Sequence, residues 1–102
     1  MPNFVIMVCY PSHKQSEFMT KYASLGTKYK MEGLMKILSW SANTTLEGVK
    51  ILGVYEALEG KFLEALTLLQ KLCYEFKDIE GLEYKIETWI NAAEAMNLAQ
   101  SK

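Results

Sequence analysis

His13 is the single histidine of the chain and the only side chain whose ordinary pKa lies near neutrality, so it is the one obvious general base or acid. Nothing orients it. The lone aspartate, Asp78, lies far along the chain, and no serine–histidine–acid triad can be argued from it. Cys9 and Cys73 are also widely separated, and neither C-x-x-C, H-x-x-x-H nor H-E-x-x-H occurs, so no metal site and no cofactor are expected. Both cysteines sit in apolar stretches and read as small buried hydrophobes in a reducing compartment rather than as a disulfide. The other residues able to meet a ligand are the polar-tipped aromatics Tyr22, Trp40, Tyr55 and Tyr84, with Gly53, which leaves a gap where a strand side chain would stand. Each has a plain structural reading too. His13 follows a helix cap, where solvent-facing histidines are common; the tyrosines suit core positions with surface hydroxyls; the glycine suits a close helix contact.

The elements that must position these residues follow from size and pattern. With 102 residues, 50% of them apolar and 23% charged, the chain is expected to form one domain spanning residues 1–102. Such a domain is near the small end for building its own core, and further burial at a subunit interface would help it. Its formal net charge of −1 gives no electrostatic reason for a nucleic-acid or anionic-membrane partner. There is no arginine, so the bidentate fork that grips phosphates and base edges is missing, although a lysine-biased genome explains that equally well. The longest apolar run, Phe4 to Tyr10, falls far short of the roughly 20 residues that span a bilayer. It has no basic region before it and Pro11 after it, unlike a secretion signal, so the expected location is the cytoplasm.

Phe4 to Tyr10 is apolar on both alternating faces, as a central strand buried on two sides requires. Pro11 stops it. Ser12 and Gln15 form a capping-box pattern, and Phe18, Tyr22, Leu25 and Tyr29 follow at helical spacing, with Gly26 expected to fray or end that helix. Leu34 to Ala42 reads as a strand with Leu34/Lys36/Leu38/Trp40 opposite Met35/Ile37/Ser39/Ser41. A turn at Asn43, Thr44 and Thr45, longer than a two-residue loop, leads to a strand from Val49 to Glu56. Past Gly60 a helical stripe runs through Phe62, Ala65, Leu69, Leu72, Cys73 and Phe76. Leu82 to Ile90 reads as a fourth strand, and Asn91 with Glu94 as a second capping box opening a short helix to about Ala99.

The order β-α-β-β-α-β plus a short C-terminal helix is the ferredoxin-like split βαβ plan, an α+β fold with both helices on one face of a four-stranded antiparallel sheet. The other face would carry Val5, Met7 and Cys9 or their alternates, with Leu52, Val54 and Trp89. That is too apolar to leave wet, and one short helix cannot shield a sheet, so a symmetric dimer pairing two such faces is expected. Glu56, Glu83, Lys85 and Glu87 would make cross-strand ion pairs, dimer contacts or a solvated edge.

On this plan the chain resembles the dimeric α+β barrel superfamily over nearly its whole length, and within it the uncharacterised short bacterial and archaeal members. The residues that carry the resemblance are the strand-to-helix junction Tyr10-Pro11-Ser12-His13-Lys14-Gln15-Ser16-Glu17-Phe18 and the strand Gly48-Val49-Lys50-Ile51-Leu52-Gly53. Ser12 stands where many members have glycine. The superfamily includes cofactor-free monooxygenases, haem-degrading monooxygenases, muconolactone-type isomerases and ligand-sensing domains of transcription regulators, so fold does not choose function. Haem degraders rely on an asparagine, a tryptophan and a helical histidine, and Asn3, Trp40, Trp89 and His13 do not take those places. The regulators carry a DNA-binding segment before the sensing domain, whereas here the first strand comes almost at once. The resemblance also implies a pocket between helices and sheet.

Three readings follow. A homodimer that binds or senses a small apolar or aromatic molecule predicts an apolar cavity and no role for His13, with Met19, Met31 and Met96 as adaptable lining. A cofactor-independent monooxygenase or isomerase on an aromatic substrate predicts His13 or a tyrosine pointing into an open cavity. A structural or interaction module predicts only a dimerising sheet. The first is preferred, because no base with an orienting partner is assembled.

Overall fold

The computed structural model describes residues 3–90 and 92–100. Eight residues, Asn3–Tyr10, form β1, whose even-numbered side chains Phe4, Ile6, Val8 and Tyr10 are buried while Met7 on the opposite face is exposed. After a 3-10 turn at Ser12–Lys14, α1 runs over Gln15–Lys28. Then come β2, Met35–Thr45, and β3, Gly48–Ala57. The helix α2, Phe62–Tyr74, continues into a 3-10 turn at Glu75–Asp78, and β4 and α3 follow at Glu83–Trp89 and Ala92–Gln100. The strands make one sheet in the order β2-β3-β1-β4, antiparallel at every pairing. Each βαβ half therefore passes over a strand of the other half, as the split plan requires.

Both long helices cover one face of this sheet. From α1 come Phe18 and Leu25, from α2 Ala65, Leu69, Leu72 and Cys73, all buried against the even face of β1 and the odd face of β3. Tyr10, Phe4, Phe18 and Leu69 are the largest fully buried side chains, each stabilising by about 1.5–3 kcal/mol relative to exposure. The molecule is 18 Å across in its thinnest direction, which is room for a sheet and one helix layer.

Several local expectations are corrected. Gly26 neither frays nor ends α1, which runs on to Lys28, because Leu25 and the partly buried Tyr29 keep the last turn packed. The capping box is not made: neither the 3-10 turn nor α1 carries a side-chain cap, and the Tyr10 hydroxyl donates to Gln15 Oε1 instead. Asn43, Thr44 and Thr45 are strand residues, and the hairpin closes through the two-residue loop Leu46-Glu47, where Thr45 Oγ1 donates to the Gly48 carbonyl at 2.9 Å. The strand alternation of β2 breaks at a bulge between Ile37 and Ser39. Ile37 pairs with Tyr55 and Trp40 with Gly53, so these two, predicted on opposite faces, lie on the same helix-side face. On β4, Lys85 pairs with Glu87 along the strand at 3.2 Å. Asn91, the expected second cap, lies outside the described residues. No helix among the described residues is long and apolar enough to cross a membrane.

Among the described residues nothing covers the second sheet face. Successive rows across it read Lys36, Glu56, Asn3, Trp89; then Ser39, Val54, Val5, Glu87; then Ser41, Leu52, Met7, Lys85; then Asn43, Lys50, Cys9, Glu83. The centre is apolar, the β2 side neutral and polar beyond Lys36, the β4 side charged beyond Trp89. The helix α3 does not cover this face, and its Met96 and Leu98 are 60% and 64% exposed.

Candidate functional site

Four of the six residues singled out from sequence meet on the helix side. Tyr22 stacks on Phe18 with ring centroids 6.0 Å apart and on Trp40 at 5.6 Å. Trp40 stands across from Gly53, and Tyr55, two residues along β3 on the same face, brings its ring over Gly53. Together they border a space of only about 30 Å³, the share of a single water molecule in the liquid. Aromatic packing closes it further: Phe18 stacks on Tyr10 at 4.5 Å and on Phe76 at 4.9 Å. Burial, with the neighbouring Tyr22 and Cys73, pushes the Tyr55 phenol well above its usual range, so it stays protonated near neutral pH.

His13 and Tyr84 stand apart from this group. His13 is exposed in the 3-10 turn before α1 and does not border the space. Tyr84 pairs with Val8 on the edge strand β4, is 39% exposed and borders the larger concavity on the other face. Of the three methionines, Met31 packs against the core edge, while Met19 and Met96 are exposed. Among the described residues no group of three or more histidines, cysteines or carboxylates is placed to hold a metal ion.

The larger concavity lies on the opposite, uncovered face, with a volume of about 460 Å³. Met7 and Leu52 form its apolar floor, with Ser41 and Asn43 on one side and Glu83 and Lys85 on the other. A volume of that size is in the range that small-molecule sites occupy. The apolar centre of this face is legible in the sequence, whereas the concavity within it is not. On the helix side Phe18, Tyr22, Tyr55, Phe76 and Trp40 pack closely around Gly53, while a concavity of about 410 Å³ lies between Tyr29, Leu34 and the α2 residues Leu63, Thr67 and Leu68.

No family model and no curated protein matches this chain. Solved structures do. A de novo designed protein superposes with a TM-score of 0.58 at 9% identity, covering 88% of this chain and 96% of its own. A dimeric ferredoxin-like protein from an uncultured marine organism superposes at 0.55 with 14% identity, covering 90% and 97%. The fold is ferredoxin-like. At 9% and 14% identity these likenesses are to the fold alone, and a fold does not choose a function.

Proposed function

We propose that the chain acts as a homodimer closed sheet face to sheet face and that it binds a small apolar or aromatic molecule in the space between the two sheets. The observation that carries this reading is the layout of the uncovered face: an apolar centre of Val5, Met7, Leu52 and Val54, a polar rim on both edges and a concavity floored by Met7 and Leu52. An apolar centre with a polar rim is the anatomy of a protein interface. The marine neighbour, described as a dimer, supports the same assembly. His13 is exposed in the 3-10 turn and does not border the narrow space held by Tyr22, Trp40 and Tyr55, which favours binding over catalysis there.

Native mass spectrometry of protein purified from its own source tests both parts. A dimer carrying a discrete extra mass, lost together with dimerisation in Leu52→Lys, is the expected result. A monomer at micromolar concentration overturns the assembly, and an empty dimer that takes up no member of an aromatic compound library overturns the ligand.

A further inference from the structure

Two exposed apolar surfaces lie at the same end of the sheet but on opposite edges. One is α3, where Ala92, Ala95 and Met96 fall at helical spacing along one stripe and are all exposed, with Leu98 beside them. The other is the first part of β2, where Ile37 is 56% exposed and the bulge residue Leu38 46%. That α3 starts at this end follows from the register: Trp89, the last residue of β4, shares a row with Asn3, Glu56 and Lys36. Within one chain these surfaces are separated by the width of the sheet, three strand spacings or about 14 Å.

A face-to-face dimer with two-fold symmetry removes that separation. Its axis must lie in the plane between the sheets, either along the strands or across them. An axis across the strands sets the charged column Glu83, Lys85, Glu87 against its own copy. An axis along the strands sets that column against the partner's neutral Ser39, Ser41 and Asn43 whatever the register, with no like charges opposed. The same axis keeps strand direction and places each β4 over the partner's β2, so that each α3 starts at the end and edge of the partner's sheet that carry Leu38 and, on its helix side, Ile37.

We propose that α3 is an exchanged arm: in the homodimer each copy lays the Ala92–Ala95–Met96 stripe over Ile37 and Leu38 at the bulged edge of the partner's β2. This rests on the homodimer proposed above. The sizes agree. The stripe from Ala92 to Met96 spans about 6 Å of helix, enough to cover the roughly 3 Å of strand from Ile37 to Leu38. The areas agree as well, because four strands of about eight residues project roughly 500 Å², short of the about 800 Å² per partner of a standard interface. The arm supplies more, and it covers a long edge strand that would otherwise stay open to unwanted pairing.

The test is subunit mixing between Ile37→Lys and Met96→Glu, read by native mass spectrometry and by the dimer Kd from sedimentation. Both positions are exposed, so folding is expected to survive; Leu38→Lys replaces Ile37→Lys if circular dichroism shows otherwise. Each variant alone sets a charge against an apolar residue at both arms, and its dimer Kd is expected to rise about tenfold or more. Mixed, one arm pairs the introduced lysine with the introduced glutamate and the other is unaltered, so the heterodimer accumulates above the statistical half. Wild-type protein that is dimeric, with unchanged Kd in both variants or a purely statistical mixture, overturns the arm and leaves the dimer standing. Wild-type protein that is monomeric overturns both.

Discussion

The ring of Tyr55 occupies the place of the side chain that Gly53 lacks: a Cβ at position 53 would come within 2.8 Å of the ring and 2.9 Å of its hydroxyl oxygen. The two residues lie on the same face of β3, so the glycine is a seat for its own neighbour rather than a vacant pocket. Gly53→Ala is therefore expected to destabilise the protein by about 1–3 kcal/mol, the ordinary cost of overpacking a core, because Tyr55 is buried and has little room to retreat. Urea denaturation checks this. A variant as stable as the wild type would mean that the ring moves freely and that a ligand can displace it.

Gly48 is constrained more severely, by backbone instead of a side chain. It has φ +131°, and a Cβ there would stand 2.2 Å from the Tyr10 carbonyl oxygen, at the junction where the hairpin meets the end of β1. Gly48→Ala is expected to cost about 3 kcal/mol or more, since strain and clash add. Gly33, at φ +84° with open space around it, provides the comparison, and Gly33→Ala is expected to cost about 1 kcal/mol. Equal melting temperatures for the two variants would remove the backbone clash as the cause.

These two positions show what could be read from sequence and what could not. The paired apolar faces of β1 and the stripe of α2 are carried by residue type and period, and both were legible. The bulge beside Leu38 was not, because a one-residue slip leaves no mark in composition yet moves Trp40 onto the face of Ile37. Nor was the Leu46-Glu47 loop, which contains neither glycine nor asparagine, while the polar Asn43-Thr44-Thr45 stretch looks like a turn and is an exposed edge strand. For the site, aromatic type pointed to Tyr22, Trp40 and Tyr55 but could not reveal that packing leaves them a space of only about 30 Å³.

Glu75 ties the end of α1 to the end of α2, accepting hydrogen bonds from Lys28 Nζ at 2.6 Å and from the Tyr29 hydroxyl at 2.7 Å. The Lys28 bond first, and the Tyr29 bond second, hold the Glu75 carboxyl below its usual range. Its contribution is present above the unfolded-state pKa of roughly 4.3 and is lost as pH falls through the lower folded value. The Glu75 bond likewise raises Lys28 and Tyr29, so their contributions are lost only as pH rises above their unfolded values of roughly 10. The melting temperature of wild type minus that of Glu75→Gln is thus expected to be flat near neutrality and to shrink below about pH 4.3. A difference that does not change with pH would assign the tie to packing alone.

The two cysteines report on opposite faces of the sheet. Cys73 is 2% exposed under α2, and burial pushes its thiol up to about 12, so almost none of it is thiolate at mildly alkaline pH. Cys9 is half-buried on the uncovered face, in the row with Lys50 and Glu83. A small thiol reagent is expected to modify Cys9 in the native protein and Cys73 only on unfolding, which mass spectrometry of the labelled peptides resolves. If a second copy closes over this face, Cys9 must also react more slowly as protein concentration rises, while Cys73 is indifferent to it. A Cys9 rate that does not depend on concentration would leave the face open and remove the second copy from it, because the same row that forms the rim of the concavity would then stay in water.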